Sequence, residues 1–131
     1  MRRVLLLTIT SAMLLATTAY AHHSYGANYD TSKEIKLQGK LVQFTFRNPH
    51  AFVQMEAPDQ NGKMQRWSIE WSGTTQLGAA GISHESLRVG DEIVVVARPS
   101  RVADEYRGLM VTLKRPVDGF AWGTREGERV D

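Results

Sequence analysis

The chain has 131 residues, room for one domain, and no cysteine, which excludes disulfides, thiolate metal ligands and a thiol nucleophile. Sixteen Lys and Arg stand against fourteen Asp and Glu, and two of the sixteen, Arg2 and Arg3, precede an uncharged, mostly apolar stretch over 4–16. Without those two the charges balance at 14 of each sign, so no polyanion-binding surface is indicated and, with export, nucleic acid is not an expected partner.

Arg2 and Arg3, the apolar stretch and the small residues Ala19 and Ala21 predict a signal peptide over 1–21, cleaved after Ala21. The expected location is the periplasm. The apolar stretch is shorter than the roughly 20 residues that cross a bilayer, so no membrane span is expected after cleavage. Cleavage there makes His22 the mature N-terminus.

Residues 22–32 are polar, with Tyr25 and Tyr29 interspersed. Gly26, Asn28, Asp30 and Ser32 argue against a regular element, and the segment reads as an extended arm pinned to the body by its tyrosines. Residues 34–46 alternate as a strand does. Ile35, Leu37 and Leu41 lie on one parity and Val42, Phe44 and Phe46 on the other, which predicts a long strand bent by a bulge near Gly39 or Lys40. Asn48-Pro49 stops it, because proline offers no N–H to the ladder. A second strand follows over 50–57, then a turn at 58–62. The third strand, over 64–71, places Gln65, Trp67, Ile69 and Trp71 on one face and Glu70 on the other.

Residues 72–81 predict a short helix with Ser72 as N-cap and Gly81 as the stop, with one further turn over 83–87. The run over 93–97 is a buried strand. Residues 106–114 form the last main strand, with Leu109, Val111 and Leu113 on one side and Met110 on the other. Phe120-Ala121-Trp122 is placed to cap an open barrel end, and 124–131 is a charged tail. The order strand, strand, strand, short helix, strand, strand predicts an all-β chain with one short helix: a small five-stranded OB-like barrel over 33–123. A sandwich needs about seven strands.

The histidines are His22, His23, His50 and His84. A terminal histidine chelates through its α-amine and ring, and nitrogen donors of this kind suit copper. His50, which follows a proline turn and leads a strand, is the better third donor, with His23 the other candidate. The alternative for His22 and His23 is a solvated tail. No zinc spacing is present, and His84 beside Glu85 reads as surface structure. Glu70 either faces solvent or supports His50 from behind, a role in which Asn48 is its companion; Asn48 and His50 equally fit a turn that satisfies backbone groups. Trp67 and Trp71 share a face, as core packing or as a stacking platform for a ligand that also meets Arg47. No catalytic residue is assigned: Glu70 lacks a partner carboxylate and no serine has a nucleophile-elbow setting.

His22-His23-Ser24, Phe44-x-Phe46-x-Asn48-Pro49-His50, Trp67-x-Ile69-Glu70 and Gly90-Asp91 together resemble a bacterial family of small exported proteins of unknown function. The resemblance covers essentially the whole mature chain, and His-His-Ser and Asn-Pro-His are its most specific marks. Phe46 stands where the family pattern often has Trp, and Ser72-Gly73 stand where it tends to have a proline. The resemblance implies export and a compact β-rich fold, and no reaction.

Two functions follow as expectations. The first is a periplasmic copper-binding module built on the mature N-terminal His22 with His50 or His23. The second is a metal-free module with no cofactor, in which an aromatic barrel face, Trp67 and Trp71 or Phe52, contacts an unknown periplasmic peptide, glycan or protein. A copper oxygenase is a third class, but no substrate groove or proton donor marks one, so a non-enzymatic role is favoured.

Overall fold

The computed structural model describes residues 24–123. The assignments of a signal over 1–21, of ligand roles to His22 and His23, and of a tail over 124–131 lie outside the described residues. The elements in chain order are α1 (Ser24–Asn28), β1 (Ile35–Thr45), β2 (Phe52–Pro58), β3 (Met64–Glu70), α2 (Thr74–Ala79), β4 (Glu92–Pro99), β5 (Arg107–Arg115) and β6 (Phe120–Trp122).

Strands β1 to β5 close into a five-stranded barrel. β1 pairs antiparallel with β2 on one side and with β4 on the other; β2 pairs with β3 and β4 with β5. A short parallel ladder, Ser68 to Glu70 of β3 against Arg107 to Leu109 of β5, shuts the ring. That closure is what the OB-like expectation required. β6 is a sixth, three-residue strand on β5, and it seats Trp122 edge-on against Trp71 at 5.2 Å.

The long first strand serves both halves of the barrel because it bends. Its bulge is at Val42, since Leu41 opposes Met55 while Gln43 opposes Gln54, rather than at Gly39 or Lys40. The extra residue moves the inward parity from Leu37 and Leu41 to Phe44. Gly39 has a different task. A Cβ there would collide with the carbonyl of Glu56, so only glycine lets β1 cross β2 at this point.

A second bulge corrects the expected face of β5. Val96 opposes Thr112 and Ala97 opposes Met110, which leaves Val111 as the extra residue. Met110 and Thr112 are buried, whereas Leu109 and Val111 are only half-buried; past the bulge Leu113 is inside. Alternation read straight through the strand cannot show such a slip.

The interior holds Leu37, Leu41, Val53, Met55, Ile69 and Leu113, with Ile93 and Val95 from the continuous apolar run of β4. Each such side chain contributes about 1.5–3 kcal/mol on burial. α2 adds Leu77, and Ile82 and Leu87 of the following connection join the same core. The N-cap of α2 is Gly73, not Ser72, and Gly81 with φ 78° stops it as expected. Asp91 accepts from the Arg88 N–H at 2.9 Å and pairs with Arg115 at 2.8 Å, so Gly90-Asp91 is a structural corner.

The arm departs from expectation in one respect. Residues 24–28 form a helical turn closed by Tyr29 N–H donating to Tyr25 C=O at 2.9 Å, so the described residues hold two short helices where one was expected. The polar composition that argued against a regular element is outweighed by docking: Tyr29 bridges Ser100, Asp30 N–H donates to Pro99 C=O at 2.9 Å, and Arg101 Nε donates to Gly26 C=O at 2.7 Å.

Gly39→Ala is expected to destabilise the barrel by about 3 kcal/mol, at the upper end of overpacking costs, measured as a lowered urea midpoint.

Candidate functional site

The turn after β1 determines where His50 goes. The Asn48-Pro49 peptide bond is cis. The Asn48 Oδ1 accepts from Thr74 N–H at 2.9 Å, supplying a cap to α2 that Gly73 has no side chain to give. Ala51 N–H donates to Ser72 C=O at 3.0 Å, and Trp71 N–H to Ala51 C=O at 2.8 Å. A Cβ on Gly73 would sit 2.5 Å from Pro49 O and 2.9 Å from Asn48 Oδ1. Glycine there lets the two segments touch, and Asn48 is spent on α2 rather than on His50. These contacts hold His50 beside the end of β3.

Glu70 is on the outward parity of β3, opposite Phe52 in register. Its Oε1 lies 2.7 Å from His50 Nδ1, and its Oε2 accepts from the Tyr29 hydroxyl at 2.5 Å. His50 Nε2 in turn meets the Tyr25 hydroxyl at 2.5 Å, with the rings 5.4 Å apart. The result is a chain Tyr29–Glu70–His50–Tyr25, graded from interior to surface. Tyr29 is 1% exposed, the Glu70 side chain 12%, the His50 side chain 34% and Tyr25 37%.

The order of contacts fixes the chemistry. With Nδ1–H donating to Glu70, the neutral imidazole presents its Nε2 lone pair outward, where it accepts from Tyr25. Burial raises the pKa of Tyr25 above the ordinary phenol value, and the Glu70 charge adds to the rise. Tyr29 is raised further, by burial first, then by its hydrogen bond to Glu70 and the carboxylate charge, with Arg107 partly offsetting. Both phenols therefore stay protonated as donors at neutral pH. The arrangement orients one imidazole nitrogen toward the arm and leaves it able to take a metal once Tyr25 moves aside.

The structure brings together His50 and Glu70 of the sequence-expected residues. Trp67 and Trp71 lie in the barrel interior: Trp67 Nε1–H donates to Ala57 C=O at 3.1 Å, and Trp71 packs between Phe44 and Trp122. Arg47 is elsewhere, over the Phe52 ring at 5.4 Å. His84 is exposed, 3.8 Å from Glu85. Among the described residues no three of His, Asp and Glu gather as a metal cluster. The sequence reading missed Tyr25 and Tyr29 as members of the site. Their signal was spacing: four residues apart, one helical turn, immediately after the His22-His23 pair.

A family of unknown function, DUF6152, matches residues 11–109, well over half of the chain. The chain belongs to the DUF6152 family. No curated protein and no solved structure matches it. The matched span of this DUF6152 member contains all four residues of the Tyr29–Glu70–His50–Tyr25 chain.

Tyr29→Phe removes one partner of a nearly buried carboxylate and is expected to lower stability by about 1–3 kcal/mol in urea unfolding. Alkaline titration gives a second readout. The folded-state phenols titrate above the unfolded value near 10, so their stabilisation is complete below that pH and is lost as pH rises through the folded values. Wild-type protein should lose stability above about pH 10 more steeply than Tyr29→Phe.

Proposed function

We propose that the protein is an exported, periplasmic copper-binding module in which the amine and ring of His22, freed by cleavage after Ala21, act with His50 Nε2 on Cu(II), His23 being the remaining nitrogen donor. The observation that carries this reading is the Tyr25 hydroxyl on His50 Nε2 at 2.5 Å. Tyr25 follows His22 by three residues, and an extended chain reaches at most about 3.6 Å per residue, so the mature amine falls within roughly 11 Å of the Tyr25 backbone. The Glu70 contact to Nδ1 supports the reading further, because a carboxylate behind a ligating histidine sets its tautomer and raises its basicity. Imidazole and amine donors suit a tetragonal Cu(II) site.

Titration calorimetry with Cu(II) on protein beginning at His22 tests it. A single added N-terminal Ala is expected to weaken binding by at least tenfold, about 1.4 kcal/mol, and His50→Ala to do the same. Affinity should rise with pH up to roughly 8, as the α-amine loses its proton. Equal binding by the Ala-extended protein sinks the amine role; equal binding by His50→Ala sinks the barrel's part in the site.

A further inference from the structure

A groove of about 460 Å³ on the outward face of β1–β3 and the start of β5 has none of the four residues of the histidine chain in its lining, and meets that chain only through Arg107, which also acts on Tyr29. Its floor is a cross-strand row: Gln43 opposes Gln54, Gln54 opposes Ser68, and Ser68 opposes Arg107. In the next row Thr45 opposes Phe52, whose ring carries the Arg47 guanidinium at 5.4 Å. Every lining side chain is an amide, a hydroxyl, a guanidinium or this one phenyl ring, and no carboxylate lines the groove.

Much of this hydrogen-bonding capacity is uncommitted. The side chains of Arg47 and Gln54 have no hydrogen-bond or ion-pair partner among the described residues, Arg47 resting only on the Phe52 ring. Arg107 meets Glu105 at 3.8 Å in a half-exposed pair, which binds it weakly, and it also acts on the Tyr29 hydroxyl, so it is the more committed of the two guanidiniums. Gln43 Nε2 donates to Thr45 Oγ1 at 3.2 Å, which orients the amide along the row.

We infer that this groove binds an anionic oligosaccharide, with its carboxylates on Arg47 and Arg107 and its hydroxyls on Gln43, Gln54 and Ser68. A guanidinium fork matches a carboxylate in two hydrogen bonds. Amides and hydroxyls in a row both donate and accept, as sugar hydroxyls require. Single-stranded nucleic acid fits less well, because it needs several open aromatic platforms, and the one ring here lies under Arg47. Barrels of this architecture use the face over their second and third strands for such ligands. The site stands apart from the copper reading and does not depend on it.

The test is titration of the purified chain, in chelator, with trigalacturonate, neutral maltotriose and a short oligothymidylate. Trigalacturonate is expected to bind at least tenfold more tightly than either comparison ligand. Arg47→Gln, a surface change, should weaken it at least tenfold at unchanged melting temperature, and Gln54→Ala should weaken it less. Arg107→Gln should weaken it as well, and undiminished binding by that variant removes the second guanidinium from the site. No binding of trigalacturonate at millimolar concentration overturns the site, as does binding indifferent to Arg47→Gln. Tighter binding of oligothymidylate overturns the ligand class.

Discussion

Glu70 stands on the outside of the barrel with both carboxylate oxygens committed, one to His50 and one to Tyr29. The first contact orients the imidazole of the β1–β2 turn; the second fastens the arm to β3. A carboxylate that is only 12% exposed needs partners of this quality, because desolvation without them is unfavourable. One side chain thus makes the N-terminal segment and the Asn48-Pro49 turn parts of a single local structure. It does so at the end of the strand whose other face carries Trp67, Ile69 and Trp71 into the core. The polar chain is as well placed as that strand is well packed.

Two unpaired residues shape the barrel around this point. Val42 lies where the pairing of β1 passes from β4 to β2, and Val111 shifts the parity of β5 between its parallel seam with β3, up to Leu109, and its pairing with β6, from Leu113, while β4 stays paired on both sides of the bulge. Closure, the histidine chain and the polar groove all depend on that seam, since Ser68 and Arg107 are paired across it.

Much of the fold was legible in the residues themselves. The parity change after Leu41 announced a bulge, within a few positions of where it lies, and the glycine, proline and asparagine turns delimited the strands. The face of β5 was not legible, because Leu109, Val111 and Leu113 alternate as convincingly as a regular strand while Val111 occupies the bulge. The site divides in the same way. His50 and Glu70 were within reach of sequence reasoning, since a hairpin with a known turn brings the start of one strand beside the end of the next. The tyrosines were visible as a pair one turn apart, but their destinations depend on tertiary docking, which no local pattern encodes. Overall charge balance likewise says nothing of a groove whose lining holds two arginines and no carboxylate.

The one-turn helix sets two separate clocks for the arm. Tyr29 is sealed in the body and bonded to Glu70, so lifting it requires a local unfolding event that gives up burial and a hydrogen bond together. The Tyr25 side chain is held at the surface by one hydrogen bond and a tilted ring contact, both to His50, and a rotamer change of an exposed ring takes picoseconds to nanoseconds. The phenol on His50 Nε2 is therefore a fast shutter on a slow frame. The nitrogen is uncovered and covered again many times while the segment that carries the shutter stays docked.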